Sequence, residues 1–212
     1  MENEHKQAKV DINTLLKLIE DGFIKTRNQI LLNDELIRIY RSNVAKVDEA
    51  LKIESDRRVL KTIQRLERGD LVKSVIFITG EPGSGKSHFA KKLAYTGSTN
   101  PFDKYEGQEI VIMDDISSYA MDRDGWLRLL DPVNASGSMS ARYYDKIACP
   151  ELIIITSTMN PYDYFVGARG LSDNEPLDQF IRRLLMTITV LHTGDKYSYV
   201  LGYLESTGKY EK

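Results

Sequence analysis

Apolar residues change their spacing along the chain near residue 70, and this change divides the sequence into two regions. Between residues 11 and 68 they recur every three or four positions, which is the spacing of amphipathic helices. After residue 71 they form short continuous runs, typical of buried strands, and polar residues follow each run. The pattern predicts a helical region at residues 1–70 and an α/β domain at residues 71–212, without a flexible linker between them.

A glycine-rich segment lies between the first apolar run and the next helical pattern. It fits G-x-x-x-x-G-K-[ST], and its residues are Gly80, Glu81, Pro82, Gly83, Ser84, Gly85, Lys86 and Ser87. Its glycines allow backbone N–H groups to turn towards phosphate oxygens, and the N-terminus of the following helix adds positive potential. We expect Lys86 to bind the β- and γ-phosphates and the Ser87 hydroxyl to ligate Mg²⁺. The segment therefore predicts a site for ATP or GTP.

The second apolar run, residues 110–113, ends in Asp114 and Asp115. In an ATPase with a phosphate-binding loop, such a strand carries a carboxylate to the Mg²⁺ side of the site. We expect Asp114 to hold Mg²⁺ through water and Asp115 to orient the attacking water. The sequence also allows these two roles to be exchanged.

Two further segments carry candidate functional residues. Arg182 and Arg183 lie in a predicted helix, and in ring ATPases an arginine from one subunit stabilises the transition state in its neighbour; the alternative is that both are surface charges. The polar segment at residues 135–146 contains an aromatic and basic group whose members are Arg142, Tyr143, Tyr144 and Lys146. Such a group can stack on bases and hold phosphates of a single strand, and a solvated loop is the alternative.

Composition and charge narrow the possible partners and cellular compartment of the protein. A net charge of −2 and a pI of about 6.0 give no overall basic character, so any contact with DNA must be local. Cys149 is the single cysteine, which excludes an internal disulfide bond and fits a reducing compartment. The histidines are far apart and suggest no metal cluster. No transmembrane-length apolar run and no signal peptide is present, so we expect a soluble intracellular protein with no membrane partner.

Four blocks of sequence together resemble the superfamily-3 helicases, specifically the helicase domain of rolling-circle replication initiator (Rep) proteins of small plasmids and single-stranded DNA viruses. The blocks are the loop at 80–87, the pattern Y-x-G-Q-E-x-V-x-x-D-D at 105–115, the segment at 135–146, and residues 153–165. With Arg182 and Arg183, the likeness covers most of residues 72–190. Helicase loaders and IstB-type ATPases, which act on a partner helicase or transposase, are the alternative. They have a similar loop, but they place considerably more chain between it and the Asp-Asp strand.

The resemblance implies an α/β fold of the P-loop NTPase, AAA+-like kind, with a mostly parallel sheet of about five strands. It implies an enzyme that hydrolyses ATP with Mg²⁺, assembles as a homo-oligomeric ring, expected to be a hexamer, and moves 3′ to 5′ on single-stranded DNA during rolling-circle replication. Residues 1–70 would be the oligomerisation collar, and the 135–146 segment would point into the central pore.

The resemblance also implies roles for individual residues. The third motif of the relatives ends in T-S-N, with Asn as the sensor of the γ-phosphate; here Thr158 stands at that place and Asn160 follows two residues later. We favour Asn160 because its amide can donate to a phosphate and accept from water. Arg142 falls near a basic residue of the viral relatives, but tyrosines follow it where they have glycines. Either Arg142 or Lys146 could therefore grip DNA.

Full-length Rep proteins also carry an origin-nicking endonuclease domain with an H-x-H metal pair and a catalytic tyrosine. No H-x-H pattern occurs in this sequence. We interpret the chain either as a helicase domain separated from that endonuclease or as a stand-alone helicase of the family. We expect it in the cytoplasm if it comes from a bacterial plasmid, and in the host nucleus if it comes from a eukaryotic virus.

Overall fold

The chain folds into two compact units, which divide between Leu60 and Lys61. The computed structural model describes residues 11–93, 105–134, 138–140, 145–168, 177–193, 196–204 and 210–211. The division falls inside a long helix, before the change of periodicity near residue 70 that separates the two predicted regions. No helix within the described ranges is both long enough and apolar enough to span a bilayer.

The first unit consists of short amphipathic helices that enclose an apolar core. The helices are α1 (Ile12–Glu20), α2 (Arg27–Leu31), α3 (Asp34–Ser42) and α4 (Val44–Glu67), of which α4 continues beyond the unit. Side-chain caps set where two of them begin: Asp11 accepts a hydrogen bond from the Thr14 N–H at 2.8 Å, and Asn33 accepts one from the Glu35 N–H at 3.0 Å. The buried core consists of Leu15, Ile19, Ile24, Ile30, Leu36, Tyr40 and Val47.

The second unit is built on a central sheet. Its strands are β1 (Ser74–Thr79), β2 (Ile110–Met113), β3 (Ser138–Ser140), β4 (Asp145–Ile147), β5 (Leu152–Ser157), β6 (Met186–Thr193), β7 (Lys196–Leu204) and β8 (Tyr210–Glu211). The order in the sheet is β2–β5–β1–β6–β7–β8, and β3 pairs separately with β4. Strands β2, β5, β1 and β6 run parallel, whereas β7 and β8 are antiparallel to their neighbours.

Helices cover both faces of this sheet. They are α5 (Lys86–Leu93), a single 3₁₀ turn (Ser118–Ala120), α6 (Arg123–Leu129), α7 (Pro161–Gly167) and α8 (Leu177–Ile181). On one face, Ile78, Ile112 and Ile154 form a core with Ala90 of α5. On the other face, Phe77 contacts Tyr164 edge to face, with ring centroids 5.3 Å apart.

An aromatic core fixes that second face. Trp126 is fully buried, and its ring lies edge to face on Tyr164 at 5.4 Å. Phe165 stacks on Phe180 at 4.7 Å, which joins α7 to α8. The predicted α/β class, the mostly parallel sheet and the preceding helices are therefore confirmed. Among the described residues the sheet has six strands, because the two-residue β8 adds to the five expected.

Candidate nucleotide-binding site

The glycine-rich segment forms the turn between β1 and α5, as its sequence predicts. The Lys86 ammonium donates hydrogen bonds to the Gly80 carbonyl at 2.9 Å and to the Glu81 carbonyl at 2.8 Å. Lys86 is 7% exposed, so its side chain lies folded against the loop. A cation held at this point can exchange carbonyl partners for phosphate oxygens with little loss of conformational freedom.

Two of the loop glycines are required by close neighbours. Gly80 has φ of 154°, and a Cβ there would lie 2.4 Å from the Val190 carbonyl oxygen of β6. Gly85 has φ of 87°, and a Cβ there would lie 3.1 Å from the Tyr197 ring of β7. Both positions combine a backbone conformation that disfavours side chains with a lack of space. The loop is therefore packed against the β6–β7 hairpin.

The predicted carboxylates lie at the carboxyl ends of β2 and its neighbour β5. Thr156 of β5 donates its hydroxyl hydrogen to Asp114 Oδ1 at 2.9 Å and accepts a hydrogen bond from the Asp115 N–H at 2.8 Å. Thr156 is fully buried. One threonine thus fixes both aspartates, and it does so at the end of the sheet where parallel strands place functional groups.

Sequence reasoning missed the part played by Thr156. The available signal was the polar Thr156, which directly follows the apolar run of residues 152–155. The role of Thr156 follows only from the register of β2 and β5, in which Met113 lies opposite Ile155. The residues that come next, Asp114 and Thr156, are therefore neighbours.

Asp114 is the electrostatic centre of the site. Lys91 of α5 places its ammonium 3.3 Å from Asp114 Oδ2, and the Ser87 hydroxyl also forms a hydrogen bond with this carboxylate. Burial raises the pKa of Asp114, but the hydrogen bonds from Ser87, Thr156 and Lys91, with the Lys91 charge, outweigh burial and lower the pKa below 3.8. Asp114 is therefore ionised at neutral pH and touches the other predicted Mg²⁺ ligand.

Asp115 has a different environment from Asp114. Its backbone lies in the left-handed region, with φ of 51°, and its side chain is exposed at the end of β2. A non-glycine residue in this conformation is strained and is often found at functional sites. Beside it, burial and the Asp115 charge raise the pKa of Tyr164, whose hydroxyl donates to the Ile116 carbonyl at 3.1 Å.

Asn160, which the sequence favours as the phosphate sensor, caps helix α7. Its Oδ1 accepts a hydrogen bond from the Asp163 N–H at 2.9 Å, and its Nδ2 donates to Asp163 Oδ2 at 2.6 Å. Thr158, the other candidate, is exposed beyond the end of β5. The Thr79 hydroxyl holds the same turn by donating to the Met159 carbonyl at 2.9 Å. Both candidates therefore lie in a turn that is anchored to β1.

The paired arginines differ in environment although they are adjacent. The Arg183 guanidinium forms an ion pair with Asp131 at 3.2 Å and a hydrogen bond with Gln179 Oε1 at 3.0 Å. Its side chain is only 12% exposed. Arg182 is exposed to solvent. The structure thus separates two residues that the sequence could not distinguish.

The segment predicted to contact DNA is described only in part. Strands β3 and β4 pair antiparallel, with Met139 opposite Lys146. Arg142, Tyr143 and Tyr144 lie outside the described residues, and for Lys146 the structure describes the backbone. The DNA-binding role of this group stays a prediction.

Comparison with known proteins connects this site to replication. A family model described as RNA helicase matches residues 76–159, a range that includes the loop, Asp114 and Thr156. A replication protein of Onion yellows phytoplasma (strain OY-M) is 31% identical over 208 residues, which is 92% of this chain and 50% of that protein. A replication-associated protein of goose circovirus is 31% identical over 101 residues, which is 45% of this chain and 33% of that protein.

These matches agree with the resemblance that the sequence motifs predict. The chain spans half the length of the phytoplasma protein and a third of the circovirus protein. Both named relatives are replication proteins, and the matched family is of the helicase type. The chain is therefore confirmed as a relative of the superfamily-3 helicase domains of Rep-type replication initiators.

Proposed function

We propose that this chain is the ATP-dependent helicase domain of a replication initiator. It would form a homo-oligomeric ring, a hexamer by the resemblance, and translocate 3′ to 5′ on single-stranded DNA during rolling-circle replication. The observation that carries the proposal is the ion pair between Lys91 of α5, the helix that begins at the end of the loop, and Asp114 at the end of β2, with 3.3 Å between the ammonium and the carboxylate oxygen. It joins the helix of the phosphate loop to a half-buried, ionised carboxylate, and a carboxylate beside the loop is what nucleotide hydrolysis needs.

The residues present fit a nucleotide with Mg²⁺. Mg²⁺ prefers oxygen ligands and keeps several waters, so one hydroxyl and one carboxylate suffice when phosphates supply the rest. Ser87 and Asp114 would hold the ion, which neutralises negative charge on the β- and γ-phosphates when bound. Asp114 is kept ionised for this role by Lys91 and Thr156.

Catalysis would depend on positioning a water molecule and stabilising charge. Lys86 would bind the β- and γ-phosphates from its place inside the loop, and backbone N–H groups of residues 80–87 would surround them. Asp115, exposed beside Asp114, would accept a hydrogen bond from the attacking water and orient it. Its backbone is held by Thr156, so the carboxylate starts from a fixed position.

A polar side chain in the turn after β5 would contact the γ-phosphate. Asn160 already uses both ends of its amide to cap α7, and one amide proton is left after its bond to Asp163. Thr158 is exposed in the same turn and would need no such rearrangement. We therefore propose Thr158 as the sensor and Asn160 as the alternative. Loss of hydrolysis in Asn160→Ala with unchanged thermal stability would favour Asn160.

Arg182 would complete the site of a neighbouring subunit. Arg183 is already committed to Asp131 and Gln179 within its own chain, whereas Arg182 is exposed. An arginine donated in this way stabilises charge that develops on the transferred phosphate. Exposed apolar residues of the first unit support assembly as well, since Phe23 is 71% and Leu32 is 88% exposed. The helical region would then be the oligomerisation collar.

DNA would be bound by the segment at residues 135–146. Arg142 or Lys146 would hold phosphates, and Tyr143 and Tyr144 would stack on bases. Arg142→Ala combined with Lys146→Ala should weaken single-strand binding and leave basal ATP hydrolysis unchanged. The chain covers half of its phytoplasma relative, so the full protein could include the origin-nicking endonuclease domain that the resemblance implies.

A strand-displacement assay tests the whole proposal. The chain is incubated with Mg²⁺, ATP and a duplex carrying a 3′ or a 5′ single-stranded tail, and the mass of the assembly is measured in parallel. We expect unwinding that needs ATP, a 3′ tail and an oligomer. Hydrolysis without unwinding would instead favour the class of helicase loaders, and absence of hydrolysis by an assembled protein would overturn the proposal.

A further inference from the structure

The β6–β7 hairpin carries an aromatic pair beside the phosphate loop. We propose that His192 and Tyr197 form the surface on which the base of the bound nucleotide stacks. This inference rests on the proposed function, because it needs a nucleotide in the loop at residues 80–87. It adds a binding surface for the base, which none of the motifs in the sequence addresses.

The hairpin is in direct contact with the loop. The Tyr197 ring lies so close to Gly85 that a Cβ on this glycine would be 3.1 Å from ring atom Cε1. On the neighbouring strand, the Val190 carbonyl lies 2.4 Å from the place where a Cβ of Gly80 would be. The ring therefore stands at the edge of the loop that would bind the phosphates.

The two aromatic residues form a stacked pair. His192 lies directly opposite Tyr197 in the antiparallel register, and the ring centroids are 4.6 Å apart at an interplanar angle of 26°. Tyr197 is 53% exposed, and His192 is also exposed. A preformed stack with exposed aromatic area can accept a further aromatic ring with little loss of side-chain freedom.

Tyr199, two residues along the same strand, has a different role. Its ring packs against Phe89 of α5, with centroids 4.7 Å apart. Tyr199 therefore contributes to the packing of the hairpin on the helix that follows the loop. Tyr197 instead contacts the loop backbone at Gly85 and pairs with His192. Tyr199 thus packs the hairpin on α5, whereas Tyr197 lies beside the proposed ligand site.

The strand order indicates which part of the nucleotide faces this surface. Asp114 directly follows β2, and Thr156 is the last residue but one of β5. In the sheet, β2 and β5 lie on one side of β1, whereas β6 and β7 lie on the other side. Ser87 and Asp114 would hold the Mg²⁺ and γ-phosphate end. A nucleotide bound across the loop would then extend away from the carboxylates, towards the hairpin.

Stacking recognises the π-face that all bases share. We therefore expect ATP and GTP to bind with comparable affinity. Tyr197→Ala should weaken the binding of both by on the order of tenfold. Tyr197→Phe keeps the ring and should retain most of the affinity.

The test measures dissociation constants by calorimetry with the full chain and Mg²⁺, using ATP, GTP and inorganic tripolyphosphate. Tripolyphosphate has the phosphates but no base, so Tyr197→Ala should leave its affinity unchanged. Val200→Ala is the matched control, because Val200 is exposed on the opposite face of the same strand and should change nothing.

Two results would overturn the inference. One is unchanged ATP affinity in Tyr197→Ala. The other is an equal loss of ATP and tripolyphosphate affinity, which would mean that the ring only shapes the loop at Gly85. Either result, with normal ATP hydrolysis by the unmodified chain, would leave the proposed function standing. Failure of the unmodified chain to bind ATP would instead overturn both.

Discussion

The two sides of the phosphate loop differ in chemistry. On one side, which we call the charged side, Ser87, Lys91, Asp114 and Thr156 are linked by hydrogen bonds and an ion pair. On the other, the aromatic side, His192 and Tyr197 stack on each other, and the Tyr197 ring lies beside Gly85. Charged groups held in place suit stabilisation of a transition state, whereas exposed rings suit binding of a base. We therefore propose that the charged side serves catalysis and that the aromatic side serves nucleotide affinity.

Lys86 lies in the loop between the two sides, where the phosphates would bind. Its replacement should therefore have the largest effect on ATP hydrolysis. Lys86→Ala removes the ammonium that the Gly80 and Glu81 carbonyls hold inside the loop. We expect ATP hydrolysis to fall by on the order of 10³-fold or more, since a fixed cation stabilises charge on the phosphates. Phosphate release measures the effect, and thermal unfolding verifies the fold. Substantial turnover by a folded variant would contradict the assigned site.

Arg182 and Arg183 test whether the charged side is completed by a second subunit. Arg182→Ala should reduce hydrolysis by about 10³–10⁵-fold without changing thermal stability. Arg183→Ala should instead lower the free energy of unfolding by about 1.5–3 kcal/mol, because it removes the hydrogen-bonded ion pair with Asp131. Thermal and urea unfolding distinguish the two outcomes.

Mixing inactive subunits sharpens the same test. Combining Lys86→Ala with Arg182→Ala should restore some hydrolysis, since one kind of mixed interface has both an intact loop and an intact arginine. The control is each variant mixed with itself. No recovery in an assembly shown by mass to be mixed would argue against an arginine supplied by the neighbour.

Thr156→Val tests the charged side alone, with a smaller effect. Valine has nearly the same shape but leaves Asp114 Oδ1 and the Asp115 N–H without the hydroxyl that joins them. We expect kcat to fall by roughly 10–100-fold because the carboxylates lose their alignment, with little change in ATP affinity. Thr156→Ser should retain activity. The reverse pattern, weaker binding at normal kcat, would place Thr156 with the aromatic side.

Acid should produce the smallest effect, through Asp114. Its pKa is lowered below 3.8 in the folded chain, although burial alone would raise it. Its contribution to stability is therefore present above the unfolded pKa and is lost as the pH falls through the folded pKa. Urea unfolding below about pH 4 should show a weaker pH dependence in Asp114→Asn than in the unmodified chain. An equal dependence would mean that the Lys91 ion pair does not stabilise the fold.

Much of the site could be predicted because its parts are local in sequence. The loop, its flanking strand and helix, and the carboxylates at the end of β2 each follow from patterns of a few residues. The short continuous apolar runs likewise indicated the strands. Asn160 illustrates the limit of such reasoning, since its chemistry suits a sensor but its position before Pro161 and Asp163 also makes it a helix cap.

Short-range backbone preferences and hydrophobic periodicity encode the loop, the order of strand and helix around it, and the positions of the charged residues along the chain. The packing of the strands and helices determines which of these residues come into contact. Thr156 contacts Asp114 because β5 lies beside β2, Arg183 differs from Arg182 because Asp131 lies within reach, and Tyr197 touches Gly85 because the hairpin packs on the loop. Each of these contacts joins residues far apart in the chain. Strand order and packing produce these contacts, and local sequence patterns do not predict either of them.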